Sequence, residues 1–282
     1  MELLVVALLL CVTGTYADSV QLKQWRSMQV RRHIRREPGM SGRIIGGVEA
    51  NVGDAPYQLS LRRFNYHVCG ASVLDTSLAI TAAHCVSSRT EPEFITLKGG
   101  SINRTDDADG VIFSVIEIIV HPTYNPYTYH NDVALLRIEG TFNDVENLSP
   151  IALHTGAIST SSFNPVYCTV SGWGLTNSYT GNLPEILRVV RIPLISYTEC
   201  RRKWSPLAVT SSMICAGEPR RDACNGDSGG PLVCNDKLYG IVSWGANQCG
   251  SSYPGVYTSI PAKDVANFIS KYISLPSNDT SI

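Results

Sequence analysis

Gly226-Asp227-Ser228-Gly229-Gly230-Pro231 sets three glycines and a proline around a single hydroxyl. Alone, such a run reads as a tight turn, because glycine reaches backbone angles closed to other residues and proline interrupts regular hydrogen bonding. What lies on either side decides the fold. After it come Leu238 to Trp244 and Gly255 to Ser259; before it come Gln58 to Leu61, Val111 to Val120, Val133 to Ile138, Pro165 to Val170 and Leu187 to Pro193. These are short β-branched and aromatic runs bounded by Gly, Pro, Asn and Ser, a pattern that predicts a sandwich or barrel. At the end, Ala262 to Ile273 places Val265, Phe268, Ile269 and Tyr272 on one helical face, so a single amphipathic helix is expected to close the chain and pack on its core.

The 282 residues, 44% apolar and 17% charged, suffice for one large all-β domain or two ordinary ones. Leu3 to Val12 is an apolar run too short to span a bilayer, and Thr15-Tyr16-Ala17 offers small residues at cleavage spacing, so residues 1–17 read as a signal peptide even though Glu2 stands in the usually basic first stretch. Residues 18–43 carry Lys23, Arg26, Arg31, Arg32, Arg35, Arg36 and Arg43 against Asp18 and Glu37, with little apolar periodicity. Such a segment does not fold alone and reads as an exposed prosegment rather than a heparin- or nucleic-acid-binding arm. Residues 44–282 hold 21 acidic and 16 basic side chains, which disfavours a nucleic-acid partner.

Of nine cysteines, Cys11 falls in the expected signal, leaving Cys69, Cys85, Cys168, Cys200, Cys215, Cys224, Cys234 and Cys249. An even set in an exported chain points to four disulfides, with spacing alone open to about 105 connectivities. No CxxC pair supports zinc. Sequons at Asn103, Asn147 and Asn278 would occupy surface loops if glycosylated.

Three signatures occur in order: Thr81-Ala82-Ala83-His84-Cys85, Asn131-Asp132-Val133-Ala134-Leu135-Leu136, and the hexapeptide around Ser228. A lone histidine, a turn aspartate and a glycine turn each have bland explanations, but together they resemble the chymotrypsin and trypsin family of serine proteases. The resemblance extends over residues 44–282 through Ile44-Ile45-Gly46-Gly47, Ser171-Gly172-Trp173-Gly174, Ser243-Trp244-Gly245 and Pro254-Gly255-Val256-Tyr257. It implies two six-stranded antiparallel β-barrels with a C-terminal α-helix and the active site between the barrels. The chemistry has its own logic. A serine hydroxyl is a weak nucleophile, so Ser228 needs a base such as His84, and Asp132 would fix the histidine tautomer and stabilise its cation. By resemblance, the N–H groups of Gly226 and Ser228 form an oxyanion hole.

The resemblance also places Asp222 at the floor of the primary pocket, with Gly245 and Gly255 as open walls, implying cleavage after arginine and lysine. Ala223, where pancreatic-type trypsins carry serine, removes one partner for a lysine ammonium, so arginine is expected to be preferred. Ser243, Trp244 and Gly245 would receive substrate as an added strand, and Tyr129 and Trp204, with Trp244, match neighbouring subsites. A bulky Tyr129 would favour a small residue before the cleaved arginine. Asp222 as a solvated turn carboxylate, and the aromatics as ordinary packing, are the competing readings.

Arg43-Ile44 resembles an activation junction, whose cleavage would deliver a new amino terminus at Ile44 to Asp227. Ser60 and His67 fall where related zymogens hold that aspartate. Ser41-Gly42-Arg43 suits the enzyme's own expected preference, so the activator would be another protease or the enzyme itself. The implied disulfides are Cys69 to Cys85, Cys168 to Cys234, Cys200 to Cys215 and Cys224 to Cys249. Ala50 and Val189 stand where a further bridge is usual. No cofactor or metal is expected: Asp106, Asp107 and Asp109 form an acidic loop, but Gly100 replaces a calcium-binding carboxylate, and Pro254 argues against sodium regulation. The expected partners are polypeptide substrates and protein inhibitors, with no nucleic acid or membrane, for a secreted monomer. A narrow processing or defence protease is the alternative to a broad digestive one, and intact His84, Asp132, Ser228 and Asp222 disfavour an inactive binding homologue.

Overall fold

A computed structural model describes residues 45–87, 90–176, 181–205 and 208–273. The expected signal peptide and prosegment, with Arg43 and Ile44, and the sequon at Asn278 lie outside the described residues.

The strands are β1 (Val48–Glu49), β2 (Gln58–Arg63), β3 (Tyr66–Val73), β4 (Leu78–Thr81), β5 (Ile95–Gly99), β6 (Val111–Val120), β7 (Ala134–Ile138), β8 (Tyr167–Gly172), β9 (Arg188–Ile195), β10 (Met213–Ala216), β11 (Pro231–Cys234), β12 (Lys237–Trp244) and β13 (Gly255–Ser259). Strands β2-β3-β4-β7-β6-β5 close into the first barrel. Strands β9-β10-β13-β12-β11-β8 form the second, closed by β8 against β9, with β1 added at the edge of β9. All these pairings are antiparallel.

Period-two burial explains why these segments become strands. In β9, Arg188, Val190, Ile192 and Leu194 turn inward while their neighbours are more exposed. β2 is buried on nearly every residue because one face fills the first barrel and the other meets the second, where Ser171 Oγ donates to Gln58 Oε1 at 2.6 Å. Leu59, Leu61, Leu78, Ile80, Ile95, Leu97, Leu135 and Leu136 fill the first core; Val170, Ile192, Leu232 and Tyr257 belong to the second. Fully burying one such aliphatic side chain contributes about 2 kcal/mol.

Two helices complete the described chain. The expected closing helix is α2 (Lys263–Ile269), shorter than the sequence pattern, and it buries Val265, Phe268 and Ile269 in the first barrel's cluster. Tyr272 lies beyond its end, partly exposed. The other, α1 (Tyr197–Trp204), was not anticipated by periodicity. Its signal is a cap: Ser196 Oγ accepts from the Glu199 N–H, the first half of an S-x-x-E capping box. Four disulfides link Cys69–Cys85, Cys168–Cys234, Cys200–Cys215 and Cys224–Cys249. Ala50 and Val189 belong to a small apolar cluster with Trp173 and Leu187. No helix among the described residues is long and apolar enough to cross a membrane.

Candidate active site

His84 sits on a 3-10 turn, Ala83–Cys85, directly after β4, and the Cys69–Cys85 disulfide pins that turn to β3. Its Nδ1 is 2.8 Å from Asp132 Oδ2, and its backbone N–H donates to Asp132 Oδ1 at 2.9 Å. Asp132 is fully buried and further held by two hydroxyls from the second barrel: Ser243 Oγ donates to Oδ2 at 2.5 Å and Thr258 Oγ1 to the backbone carbonyl at 2.7 Å. The residue before it, Asn131, has φ +54°, and its N–H is taken by Ser212 Oγ at 3.0 Å. A left-handed asparagine thus stands directly before the aspartate that meets His84.

Ser228 occupies a turn stitched to both barrels. Its carbonyl accepts from Gly70 N–H at 2.7 Å, and the next N–H, of Gly229, donates to Val242 O at 2.8 Å. Gly229 has φ +79°, and a Cβ there would collide with Thr81 Oγ1 and Gly70 O, which accounts for the glycine. Gly226 also lies in the left-handed half of the map, at φ +99°. Among the described residues the N–H groups of Gly226 and Ser228 find no acceptor, and no hydrogen bond joins Ser228 Oγ to His84; both side chains line one cleft of about 440 Å³. Such bonds are often loose before substrate arrives.

Asp222, Ala223, Ser243, Trp244, Gly245 and Gly255 line the same cleft. Asp222 is 4% exposed; Gly250 N–H donates to its Oδ2 at 3.1 Å, while Oδ1 has no partner among the described residues. Burial pushes its carboxyl up to about 7, against the pull of hydrogen bonds from the Gly250 and Ala223 backbone. A Cβ on Gly255 would come 2.8 Å from Asp222 Oδ1, so the absent side chain is what leaves the carboxylate reachable. A carboxylate with a desolvated, unsatisfied oxygen is a receptor for a cation.

Tyr129 rises beside His84 with φ +56°, the two ring centroids 5.7 Å apart and edge to face. Trp204, at the end of α1, stacks edgewise on Trp244 at 4.9 Å, and its indole N–H donates to Pro254 O at 2.9 Å. Tyr253, overlooked in the sequence, packs on Trp204 at 4.9 Å. Nothing in its local sequence separates it from a loop tyrosine; its role follows from the α1 placement.

Asp227 is fully buried and accepts from Gly174 N–H at 2.7 Å and Cys224 N–H at 2.9 Å, burial raising its pKa to about 6. The pair expected to hold it, Ser60 and His67, meets a different group: Ser60 Oγ lies 2.8 Å from His67 Nδ1, and His67 Nε2 lies 3.0 Å from Gly226 O. The imidazole thus reaches the carbonyl next to Asp227 and not its carboxylate, which takes one backbone N–H on each oxygen. Desolvation lowers the His67 pKa to about 4, leaving it neutral and donating. The described chain opens at Ile45, whose carbonyl accepts from Asp222 N–H at 3.2 Å.

In the acidic loop, Lys98 Nζ donates to Asn103 O at 2.6 Å and to Asp106 O, while Asp107 pairs with Arg62 at 2.7 Å. Of the sequons, Asn147 is exposed, and Asn103 is half-buried with Oδ1 accepting from Thr105 N–H at 2.9 Å.

The family model for Trypsin matches residues 44–269. Trypsin alpha-4 of Lucilia cuprina is 38% identical over 227 residues, spanning 80% of this chain and 86% of its own. Trypsin II-P29 of Gallus gallus is 38% identical over 220 residues, spanning 77% and 85%. Among solved structures, neuropsin, a serine protease expressed in the limbic system of mouse brain, superposes with a TM-score of 0.72 at 30% identity, over 80% of this chain and 97% of its own. Twin closed barrels, a histidine and a serine lining one cleft with a buried aspartate bonded to the histidine, and a family match across nearly all the described residues agree: the chain belongs to the trypsin family of serine endopeptidases and cleaves polypeptides.

Proposed function

We propose that this endopeptidase is secreted as a zymogen and, once cut after Arg43, hydrolyses peptide bonds after arginine and, less readily, lysine. The observation that carries the specificity is the unpartnered Oδ1 of buried Asp222 in the cleft that also holds His84 and Ser228. An arginine guanidinium can bridge both carboxylate oxygens and still fill the space beside Ala223, whereas a lysine ammonium has no hydroxyl there to complete its shell.

In this reading His84 takes the proton of Ser228 as Oγ attacks the scissile carbonyl, and later returns it to the leaving amine. Asp132, held in place by Ser243 and Thr258, keeps the proton on His84 Nδ1 and stabilises the imidazolium. The free N–H groups of Gly226 and Ser228 receive the oxyanion, each worth about 3 kcal/mol in the barrier. The new terminus at Ile44 would pair with Asp227, whose buried, raised carboxyl gains most from a cation. The activator is another protease or the enzyme itself, because Ser41-Gly42-Arg43 meets its own preference.

The deciding experiment digests a peptide library with protein cleaved at Arg43, using Ser228→Ala as control. Cuts confined to arginine and lysine with tolerant flanks support a digestive-type enzyme. Tyr129 beside His84 supports the second reading, a processing or defence protease, which would show instead a sharp demand for a small residue before the arginine. Absence of Ser228-dependent cleavage would overturn both.

A further inference from the structure

Gly226, which the proposed function places in the oxyanion hole, is braced by a residue remote from the cleft's own walls. A Cβ built on it would lie 3.0 Å from Leu183 Cδ2 and 3.1 Å from Gly174 Cα, so the leucine closes one side of the space beside the glycine and the Gly174 backbone the other. The backbone of Leu183 is held in turn by a side chain from the first barrel's loop 100–110: Arg104 Nη2 donates to Leu183 O at 3.0 Å, and Arg104 Nε to Pro184 O at 2.7 Å. A planar guanidinium forked onto two successive carbonyls fixes orientation as well as distance. The main chain repeats the link, with Arg104 N–H donating to Glu185 O at 3.0 Å.

Arg104 has a firm footing. Lys98 and Arg62, 2% and 3% exposed, direct their charges into the same loop. The Lys98 ammonium donates to Asn103 O and Asp106 O, and Arg62 Nη2 to Arg104 O at 2.5 Å and Asp107 Oδ1 at 2.7 Å. Buried cations are costly to leave without acceptors, so the loop carbonyls that accept from the Lys98 ammonium and from Arg62 Nη2 are held in place, although Arg62 Nε and Nη1 find no partner among the described residues.

We propose that Arg104 is a positioning residue for the reaction, transmitting the fixed geometry of the 100–110 loop through Leu183 to Gly226, so that the Gly226 N–H is aimed before the oxyanion forms. The proposal rests on the oxyanion-hole reading of Gly226. It predicts damage to the transition state with the specificity pocket left intact.

Arg104→Met keeps the length and apolar stem and removes both side-chain donors, leaving the backbone bond to Glu185 O in place. Two inhibitors divide the possibilities. An aryl amidinium fills the Asp222 pocket and makes no oxyanion. A peptide arginine aldehyde accepts Ser228 Oγ at its carbonyl carbon; the hydroxyl proton passes to His84, and the carbonyl π electrons become the oxyanion. Arg104→Met is expected to lower kcat and weaken the aldehyde together, each about 10-fold, with KM and amidinium affinity within about twofold of wild type. Equal losses with both inhibitors, or an unchanged kcat, would overturn the proposal. Leu183→Ala should give the same split, and the double variant should be no worse than the weaker single; additive losses would overturn the route through Leu183. Should Arg104→Met fail to fold, Leu183→Ala carries the test alone. A wild-type enzyme that forms no aldehyde adduct refutes the proposed function itself, whereas a wild-type adduct undiminished in Arg104→Met refutes only the role of Arg104.

Discussion

At Asp222 the balance of desolvation and hydrogen bonding sets how the pocket should titrate. With its carboxyl pushed up to about 7, the free enzyme holds a partly neutral acid at neutral pH, and only the ionised form pairs with a cation. The affinity of an aryl amidinium should therefore weaken as pH falls below 7, approaching about tenfold per unit, measured as an inhibition constant between pH 5 and 8. Asp222→Asn should cost about 2 to 5 kcal/mol in kcat/KM for arginine substrates. Gly255→Ala should raise KM with little change in fold, since its Cβ would sit 2.8 Å from Asp222 Oδ1; normal KM would show that the pocket yields. His84, Asp132 and Ser228 were legible because each lies in a short local signature, whereas Asp222 lies outside all three and is read only from the family resemblance, six positions before Ser228. That Ser243 and Thr258 hold Asp132 was not, because no local pattern tells which face of β12 or β13 meets a residue more than 100 positions earlier.

Among the elements, strand cores read well and edges poorly. Val111–Val120 and Gly255–Ser259 emerged as expected, whereas β9 runs on to Ile195 beyond the expected stop at Pro193. Proline removes a donor but does not forbid a strand where a ladder ends, and Pro193 stands opposite Tyr167, the first residue of β8. Helix α1 was missed because its eight residues, rich in Arg and Lys, bury little beyond Cys200, leaving no apolar stripe to find. Ser196→Ala should lower stability by about 1 kcal/mol through loss of the cap, readable as a Tm shift. Disulfides at this scale should separate by function. Replacing Cys224 and Cys249 by serine should cost about 2 to 4 kcal/mol and also raise KM, because Gly250, next to that bridge, supplies the N–H on Asp222. Replacing Cys200 and Cys215 should cost similar stability with a smaller effect on KM. A KM unchanged in the first variant would remove the bracing role.

For the whole molecule, the proposed activation has a thermodynamic signature. With one backbone N–H on each oxygen, the arrangement the proposal assigns to the uncleaved form, Asp227 is raised to about 6 from an ordinary value of 3.8, so the folded state binds more protons between those limits and stability falls as pH rises through that window. An ammonium delivered after cleavage would lower that pKa and remove the penalty. The Tm of the cleaved form minus that of the Ser228→Ala precursor should therefore widen from pH 4 to 6, hold at neutral pH, and shrink again as the amino terminus loses its proton near pH 8. Asp222 and His67 are common to both forms and cancel to first order. A flat difference across this range would place the new terminus elsewhere.

The first barrel is not completed by the first half of the chain. Val265, Phe268 and Ile269 of α2, with Ile260 before them, belong to the same core as Leu59, Ile80 and Leu135. During synthesis the ribosome must therefore deliver almost the entire polypeptide before that core can close, although His84 and Asp132 have long since emerged. A stalled or truncated product carries the reactive residues without the walls that align them.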